Sequence, residues 1–353
     1  MELINLLTDA VNDHASDIFI VAGRPYSYKK NGEIVKYSDR LMPDDTNRLI
    51  QEIYRLASNR EMQYFLQHGD DDFSFALPGL ARFRVSTYKQ RGSCAAVIRV
   101  INFTLPDPAV LEIPERILSL GELQKGMVLV TGPAGSGKST TLACIIDYIN
   151  CHKDYHIITL EDPLEFLHSH KNSIVSQREI SADTDSYITA LRASLRQSPD
   201  VILLGEMRDY ETIDVAMTAA ETGHLIFSTL HTLGAAKTID RIIDVFPANQ
   251  QHQIALRLSM TLQAVVSQQL VPDVNGNRIP AFEIMMLTPA IRNMIRDGKI
   301  PQIEGLLSGA STADMLSMDQ SLIDLYRAGR ITKDTAYSYA FHQESMKRKL
   351  ELF

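Results

Sequence analysis

The chain is short of cysteine, of positive charge and of long apolar runs, and each shortage removes a class of protein. Its three cysteines, Cys94, Cys144 and Cys151, are too few and too unevenly spaced for a disulfide framework or a four-cysteine zinc site, so a reducing compartment is expected. Lys and Arg number 35 against 43 Asp and Glu, a net charge of −8. A general nucleic-acid binder needs clustered positive charge to displace counterions from phosphates, so no nucleic-acid partner is expected. No apolar run approaches the roughly 18 residues that span a bilayer. The first ten residues carry Glu2 and Asp9 and no basic stretch. Neither direct membrane insertion nor a signal peptide is therefore expected, and a cytoplasmic location is. Repeats and low-complexity tracts are missing too. What remains, 353 residues with 45% hydrophobic and 22% charged side chains, is the composition of a folded chain of about two domains.

The first hundred residues read as an antiparallel sheet with helices. Leu3, Leu6, Leu7, Ala10 and Val11 recur at helical spacing, and Pro43-Asp-Asp opens a helix to Leu56. Asp17–Val21 reads as a strand. A hairpin is expected around Lys30-Asn31-Gly32-Glu33, because Asn-Gly readily adopts the positive φ of a tight turn. Phe73–Leu77 and Ala81–Tyr88 alternate at period two about Pro78-Gly79, and Ala95–Ile101 is a further strand. Three prolines between Thr104 and Pro114 form an extended connector, which divides the chain into 1–103, a linker 104–114, and 115–353. After it, apolar runs alternate with helical patterns: Gly126–Thr131, Ser139–Asn150, Tyr155–Leu160, Ser186–Gln197, Asp200–Leu204, Tyr210–Glu221 and His224–Leu230. Continuous apolar strands between helices predict a parallel sheet covered on both faces. From Gln250 onward the pattern reads as mostly helical.

The chemistry is concentrated in this second part. Gly132-Pro133-Ala134-Gly135-Ser136-Gly137-Lys138-Ser139 fits G-x-x-x-x-G-K-[ST], follows an apolar strand and opens a helix that continues through Thr140. Glycines let the backbone wrap a phosphate, the helix start adds free N–H groups, Lys138 can reach the β- and γ-phosphates, and Ser139 can ligate Mg²⁺. Val201–Glu206 is a buried strand ending in a carboxylate, which in phosphoryl transfer binds the metal through water or activates the attacking water. Gly205 stands where such strands usually carry aspartate. Glu161, Asp162 and Glu165 end another strand; like charges so close call for a cation, unless they form a solvated turn. His224 and His231 flank a strand, and His231 falls at the sheet edge where ligands bind, as a γ-phosphate sensor would; a structural histidine is the other reading. Arg82 and Arg84 share a strand face, Arg99 lies on a later strand, Arg192 and Arg196 are one helical turn apart, and Arg208 follows Glu206. Each could be a solvated ion pair; as a group, some are expected to reach a nucleotide. Arg292, Asn293 and Arg296 lie on the polar side of an amphipathic helix. The basic tail Lys347–Lys349 reads as a solvated helix end.

Taken together, these residues resemble the type II/type IV secretion ATPase superfamily, and within it the PilT-like type IV pilus retraction ATPases. His14-Ala-Ser-Asp17 matches the opening motif, and Gly79–Val85 resembles the second. The phosphate loop, the acidic box Glu161–Glu165, Gly205–Asp209, the histidine box Gly223–Thr232 and Ala290–Arg296 then follow in the family's order. Ser228 departs from a usual glycine, Met294 from leucine, and Phe19 from a frequent histidine, as in the PilU-type paralogue. The resemblance implies an α/β architecture with a PAS-like N-terminal domain, a RecA-like P-loop ATPase domain and a homohexameric ring. The site would lie between the two domains and be completed by a neighbouring subunit. By match, Glu206 is the catalytic glutamate, Glu161 or Glu165 the acidic-box residue near Mg²⁺, and His224 and His231 the histidine-box pair, with ATP as substrate. An inner-membrane pilus platform protein, and a paralogous pilus ATPase, are the implied partners at the cytoplasmic face of the inner membrane. No long N-terminal region or four-cysteine module is present, which favours retraction over extension. Two alternatives stay open: a RecA-like nucleic-acid translocase, and a non-hydrolysing, nucleotide-gated module or accessory paralogue.

Overall fold

Alternation along Ala81–Gln90 sets the architecture of the N-terminal part. Ala81, Phe83, Val85 and Thr87 are buried, while Arg82, Arg84 and Ser86 point the other way, as a pleated strand requires. The computed structural model describes residues 3–30, 32–101, 105–309 and 315–351. Asn31 of the expected hairpin tip and Thr104 of the expected linker lie outside them. The chain divides into two bodies, Met1–Leu105 with Glu165–Leu167, and Pro106–Leu164 with His168–Phe353.

The first body runs α1 (Leu3–Asn12), β1 (Asp17–Ile20), β2 (Pro25–Lys30), β3 (Glu33–Arg40), α2 (Pro43–Leu56), α3 (Gln63–His68), β4 (Asp70–Leu77), β5 (Ala81–Gln90) and β6 (Ser93–Ile101). Its six strands form one antiparallel sheet in the order β3-β2-β1-β6-β5-β4. The α1 residues Leu3, Leu6 and Leu7 and the α2 residues Leu49, Ile50 and Ile53 share one core with Ile18, Phe83 and Ile98 of the sheet. Asp45 starts α2 by accepting the Met42 N–H at 2.9 Å. The register places Arg84 directly opposite Arg99, with Arg82 two residues along, so three guanidinium groups share the outward face. Arg99 is tied to Asp17 at 3.2 Å.

The second body runs α4 (Glu115–Leu118), β7 (Gly126–Thr131), α5 (Lys138–His152), β8 (His156–Glu161), β9 (Ile174–Glu179), α6 (Tyr187–Ser194), β10 (Val201–Leu204), α7 (Tyr210–Glu221), β11 (Leu225–Leu230), α8 (Ala235–Asp244), α9 (Gln251–Thr261), β12 (Leu262–Pro272), β13 (Arg278–Met286), α10 (Pro289–Arg296), α11 (Pro301–Gly309), α12 (Met318–Arg327), α13 (Lys333–Tyr339) and α14 (Gln343–Leu350). The sheet order is β13-β12-β7-β11-β10-β8-β9. All pairs are parallel except β12 with β13. Every residue of β7, β10 and β11 is buried, and separate apolar clusters cover the two faces.

Five elements, β12, β13, β9, α3 and α6, depart from the sequence reading. The helical chain after Gln250 is interrupted between α9 and α10, where β12 and β13 form a long hairpin on the sheet edge. Sandwiched between layers, β12 shows no period-two signal, and its buried Ser267, Gln268 and Gln269 interrupt the apolar run that marks a strand. The short elements β9 and α3 were also unforeseen. Helix α6 stops at Ser194, so Arg196 lies past its end and does not stack on Arg192.

Candidate functional site

Strand β7 ends at Thr131 and the chain must turn at once into α5. The backbone does so through Gly132, Gly135 and Gly137 at φ +144°, +74° and +88°. The space around two of them leaves no room for a side chain. A Cβ on Gly132 would collide with the Gln268 carbonyl oxygen, and one on Gly137 would lie 2.9 Å from the Gln268 side chain. Gln268 is itself fixed, its Oε1 accepting the Thr141 hydroxyl at 2.7 Å. This strand β12 residue therefore buttresses the loop from beneath; sequence reasoning missed it because it is 127 residues from its partner and sits in no recognised motif.

Lys138, the first residue of α5, is buried and folds back on the loop, donating to the carbonyls of Gly132 at 2.9 Å and Pro133 at 3.0 Å. Pro133, Ala134 and Gly135 are exposed above it, and Ser139 and Thr140 are partly exposed at the start of α5. The Ser136 hydroxyl is buried and has no hydrogen-bond partner among the described residues. A buried ammonium, an orphaned hydroxyl and a glycine cradle at a helix start fit a polyphosphate. The same edge fits Mg²⁺. Among the described residues no cluster of three His, Cys, Asp or Glu makes an all-protein cage. Mg²⁺ beside phosphates takes one or two protein oxygens and otherwise water and substrate, and Ser139 is placed to supply one.

Glu206 follows β10 at the same carboxyl edge of the sheet. It is 13% exposed and accepts from Arg208 at 2.6 Å, and its second oxygen lies 3.5 Å from His231 Nε2. The hydrogen bond to Glu206, and then its charge, hold the Arg208 guanidinium above its ordinary pKa. The turn is locked by Gly205 N–H to the Leu160 carbonyl at 2.8 Å, Met207 N–H to the Thr229 carbonyl at 3.2 Å and the Thr229 hydroxyl to the Gly205 carbonyl at 2.6 Å. Glycine at 205 has a steric reason: a Cβ would lie 2.8 Å from the Tyr187 phenol oxygen. Burial, then the charges of Glu206, Asp162 and Glu161, push the Tyr187 hydroxyl well above its ordinary pKa, so it stays protonated beside those carboxylates. A cleft of about 460 Å³ opens here, lined by Glu206, Arg208, Thr229, His231 and Arg241. Tyr187 and Arg241 carried no sequence signal, since a single tyrosine or arginine on an amphipathic helix reads as surface.

The remaining candidates separate. Glu161 closes β8 at this edge, where Gln177 reaches its Oε1 at 3.4 Å, whereas Glu165 is exposed and groups with the first body. His224 precedes β11 and His231 follows it, so they occupy opposite edges of the sheet. His224 Nδ1 lies 3.0 Å from the Ala219 carbonyl at the end of α7. Arg82, Arg84 and Arg99 are on the first body's sheet. In α10, Arg292 is not a free surface group. It donates to the carbonyls of Ser259 at 2.7 Å and Met260 at 3.3 Å and to Gln263 at 3.0 Å, capping α9, while Asn293 and Arg296 face outward.

Residues 2–302 match the family described as type II/IV secretion system protein. The type IV pilus retraction ATPase PilT of Pseudomonas aeruginosa is 43% identical, over 95% of this chain and 97% of that protein. The type IV pilus ATPase PilU of the same organism is 38% identical, over 100% and 92%. A crystal structure of the pilus retraction motor PilT with bound ADP superposes with a TM-score of 0.90 at 44% identity, covering 99% of both chains.

Proposed function

The chain belongs to the type II/IV secretion system protein family, and from that premise we propose that it is an ATP-hydrolysing motor powering type IV pilus retraction. The observation that carries the reading is the alignment of two features on one sheet edge: a phosphate loop with a buried lysine, and a strand-end Glu206 touching His231. The loop N–H groups, Lys138 and the start of α5 bind the β- and γ-phosphates. Mg²⁺, held by Ser139 with an acidic-box carboxylate, Glu161 or Glu165, acting through water, would neutralise developing charge on the phosphates. Glu206 accepts a proton from the attacking water as its oxygen bonds to the γ-phosphorus and the bridging oxygen departs with ADP. His231, against the same carboxylate, reports whether the γ-phosphate is present. Arg82, Arg84 and Arg99 are the arginines we assign to transition-state charge, supplied between subunits of a homohexamer.

The motor would work at the cytoplasmic face of the inner membrane through a platform protein, with an N-terminal PAS-like body. No described helix is long and apolar enough to cross a membrane, so attachment rests on partners. An accessory, PilU-type role is the second reading; the higher identity to PilT favours the first. ATP turnover per chain, measured against protein concentration, tests the proposal. Glu206→Gln should keep nucleotide binding and slow hydrolysis by roughly 10²-fold or more, the scale of losing a general base. Undiminished turnover in that variant would remove Glu206 from the role, and nucleotide binding without turnover in the wild type would favour the accessory module.

A further inference from the structure

Beneath the segment that carries His231 lies a buried carboxylate that no step above uses. Glu283, on β13, is 5% exposed. Its Oε1 accepts the Ala235 N–H, the first residue of α8, at 2.7 Å, and its Oε2 accepts the Met318 N–H, the first residue of α12, at 3.3 Å. One side chain thus joins two helix starts that are 83 positions apart in the chain. Ala235 is four residues after His231, and the intervening turn is fixed on the same side. Gly234 donates its N–H to the Ser267 hydroxyl at 2.9 Å, and the Thr238 hydroxyl bonds the Gly234 carbonyl at 2.8 Å. A Cβ at Gly234, whose φ is +95°, would lie 3.2 Å from the ring of Phe341, so the connection between α13 and α14 packs beside this turn. Asp319 in turn accepts the Phe341 N–H at 2.7 Å, tying the approach to α14 to the first turn of α12.

Resting on the reading of Glu206 and His231 given above, we infer that Glu283 is a positioning residue for hydrolysis. By gripping the base of the His231 turn against the start of α12, it holds the imidazole at Glu206 and links that contact to the C-terminal helices. A carboxylate accepts at both oxygens; an amide accepts at one and presents a donor at the other, so one buried N–H loses its acceptor.

Glu283→Gln should therefore lower kcat by about tenfold to a hundredfold, the scale of misplacing a group at the reacting centre by about an ångström. The KM for ATP should stay within about twofold, because the phosphate loop is untouched. The discriminating measurement is a double-mutant cycle with His231→Ala. If Glu283 acts through His231, adding Glu283→Gln to His231→Ala costs little further activity; a merely structural carboxylate gives multiplying losses in the cycle. Ser267→Ala, which releases Gly234 from the same turn, replaces Glu283→Gln in the cycle should that variant fail to fold. Multiplying losses, or a wild-type kcat in Glu283→Gln, overturn the inference while Glu206-dependent turnover stands. Turnover in the wild type that does not depend on Glu206 overturns the reading beneath it instead.

Discussion

Placing alanine at Gly205 tests whether the end of β10 is set by a steric contact. The added Cβ would approach the Tyr187 hydroxyl oxygen to 2.8 Å, and then the Leu160 carbonyl oxygen to 3.3 Å and the Glu161 Cα to 3.4 Å. The first distance is well inside contact, so the buried Tyr187 ring, α6 or the strand end must give. Overpacking of this kind costs about 1–3 kcal/mol. For a body of this size each kcal/mol lowers the melting temperature by about 2–4 °C, which predicts a fall of about 2–12 °C. Glu206 is the next residue, so displacement of the turn also moves the proposed base, and turnover should fall by about tenfold to a hundredfold. The refinement is Tyr187→Phe. Removing the phenol oxygen leaves the Leu160 carbonyl at 3.3 Å as the nearest atom, so Gly205→Ala combined with Tyr187→Phe should regain most of the stability and activity of Tyr187→Phe alone. Calorimetric melting and steady-state ATP turnover on the four proteins decide it. A Gly205→Ala protein indistinguishable from wild type, or a double variant no better than the single, would refute the reasoning.

Two further outcomes follow from individual side chains. Burial depresses the His168 pKa from 6.5 to about 4, so the folded state holds it neutral while the unfolded chain binds a proton first as pH falls. Its contribution is intact above pH 6.5 and is lost toward pH 4. Urea unfolding of wild type should therefore lose about 3 kcal/mol more than His168→Gln across that window; parallel losses would show that the imidazole is not the titrating group. Arg292→Ala should lower unfolding stability by about 1–3 kcal/mol, since two carbonyls at the end of α9 and the Gln263 side chain at the start of β12 lose their donor. Arg292→Lys, without the planar fork, should recover less than half of that; unchanged stability in both would refute the capping of α9 by Arg292.

What the sequence made legible were the features that act locally. The strand–loop–helix of Gly126–His152 announces itself through an apolar run, glycines at fixed offsets and a lysine at a helix start. The α2 start and the period-two strands of the first sheet are equally local. Glu206 and His231 could be named because each follows a buried strand, and parallel strands bring their ends to one edge. Contacts that only tertiary folding creates stayed hidden. Gln268 and Glu283 are polar residues in buried strands, where single-sequence periodicity fails, and their partners are distant along the chain. His224 shows the converse: motif membership groups it with His231, yet a six-residue strand carries the two to opposite edges.

The hairpin of β12 and β13 also fixes when, during synthesis, the phosphate loop can take its shape. Strand β7 pairs on one side with β11 and on the other with β12, and Gln268 of β12 is what closes the space under Gly132 and Gly137. Pairings so far apart along the chain form slowly because the intervening segment must first be closed. A nascent chain that has emerged only as far as α9 has its glycines and Lys138 but not the floor on which they rest. The floor under Gly132 and Gly137 is therefore completed only when β12, far downstream of the loop, has paired with β7.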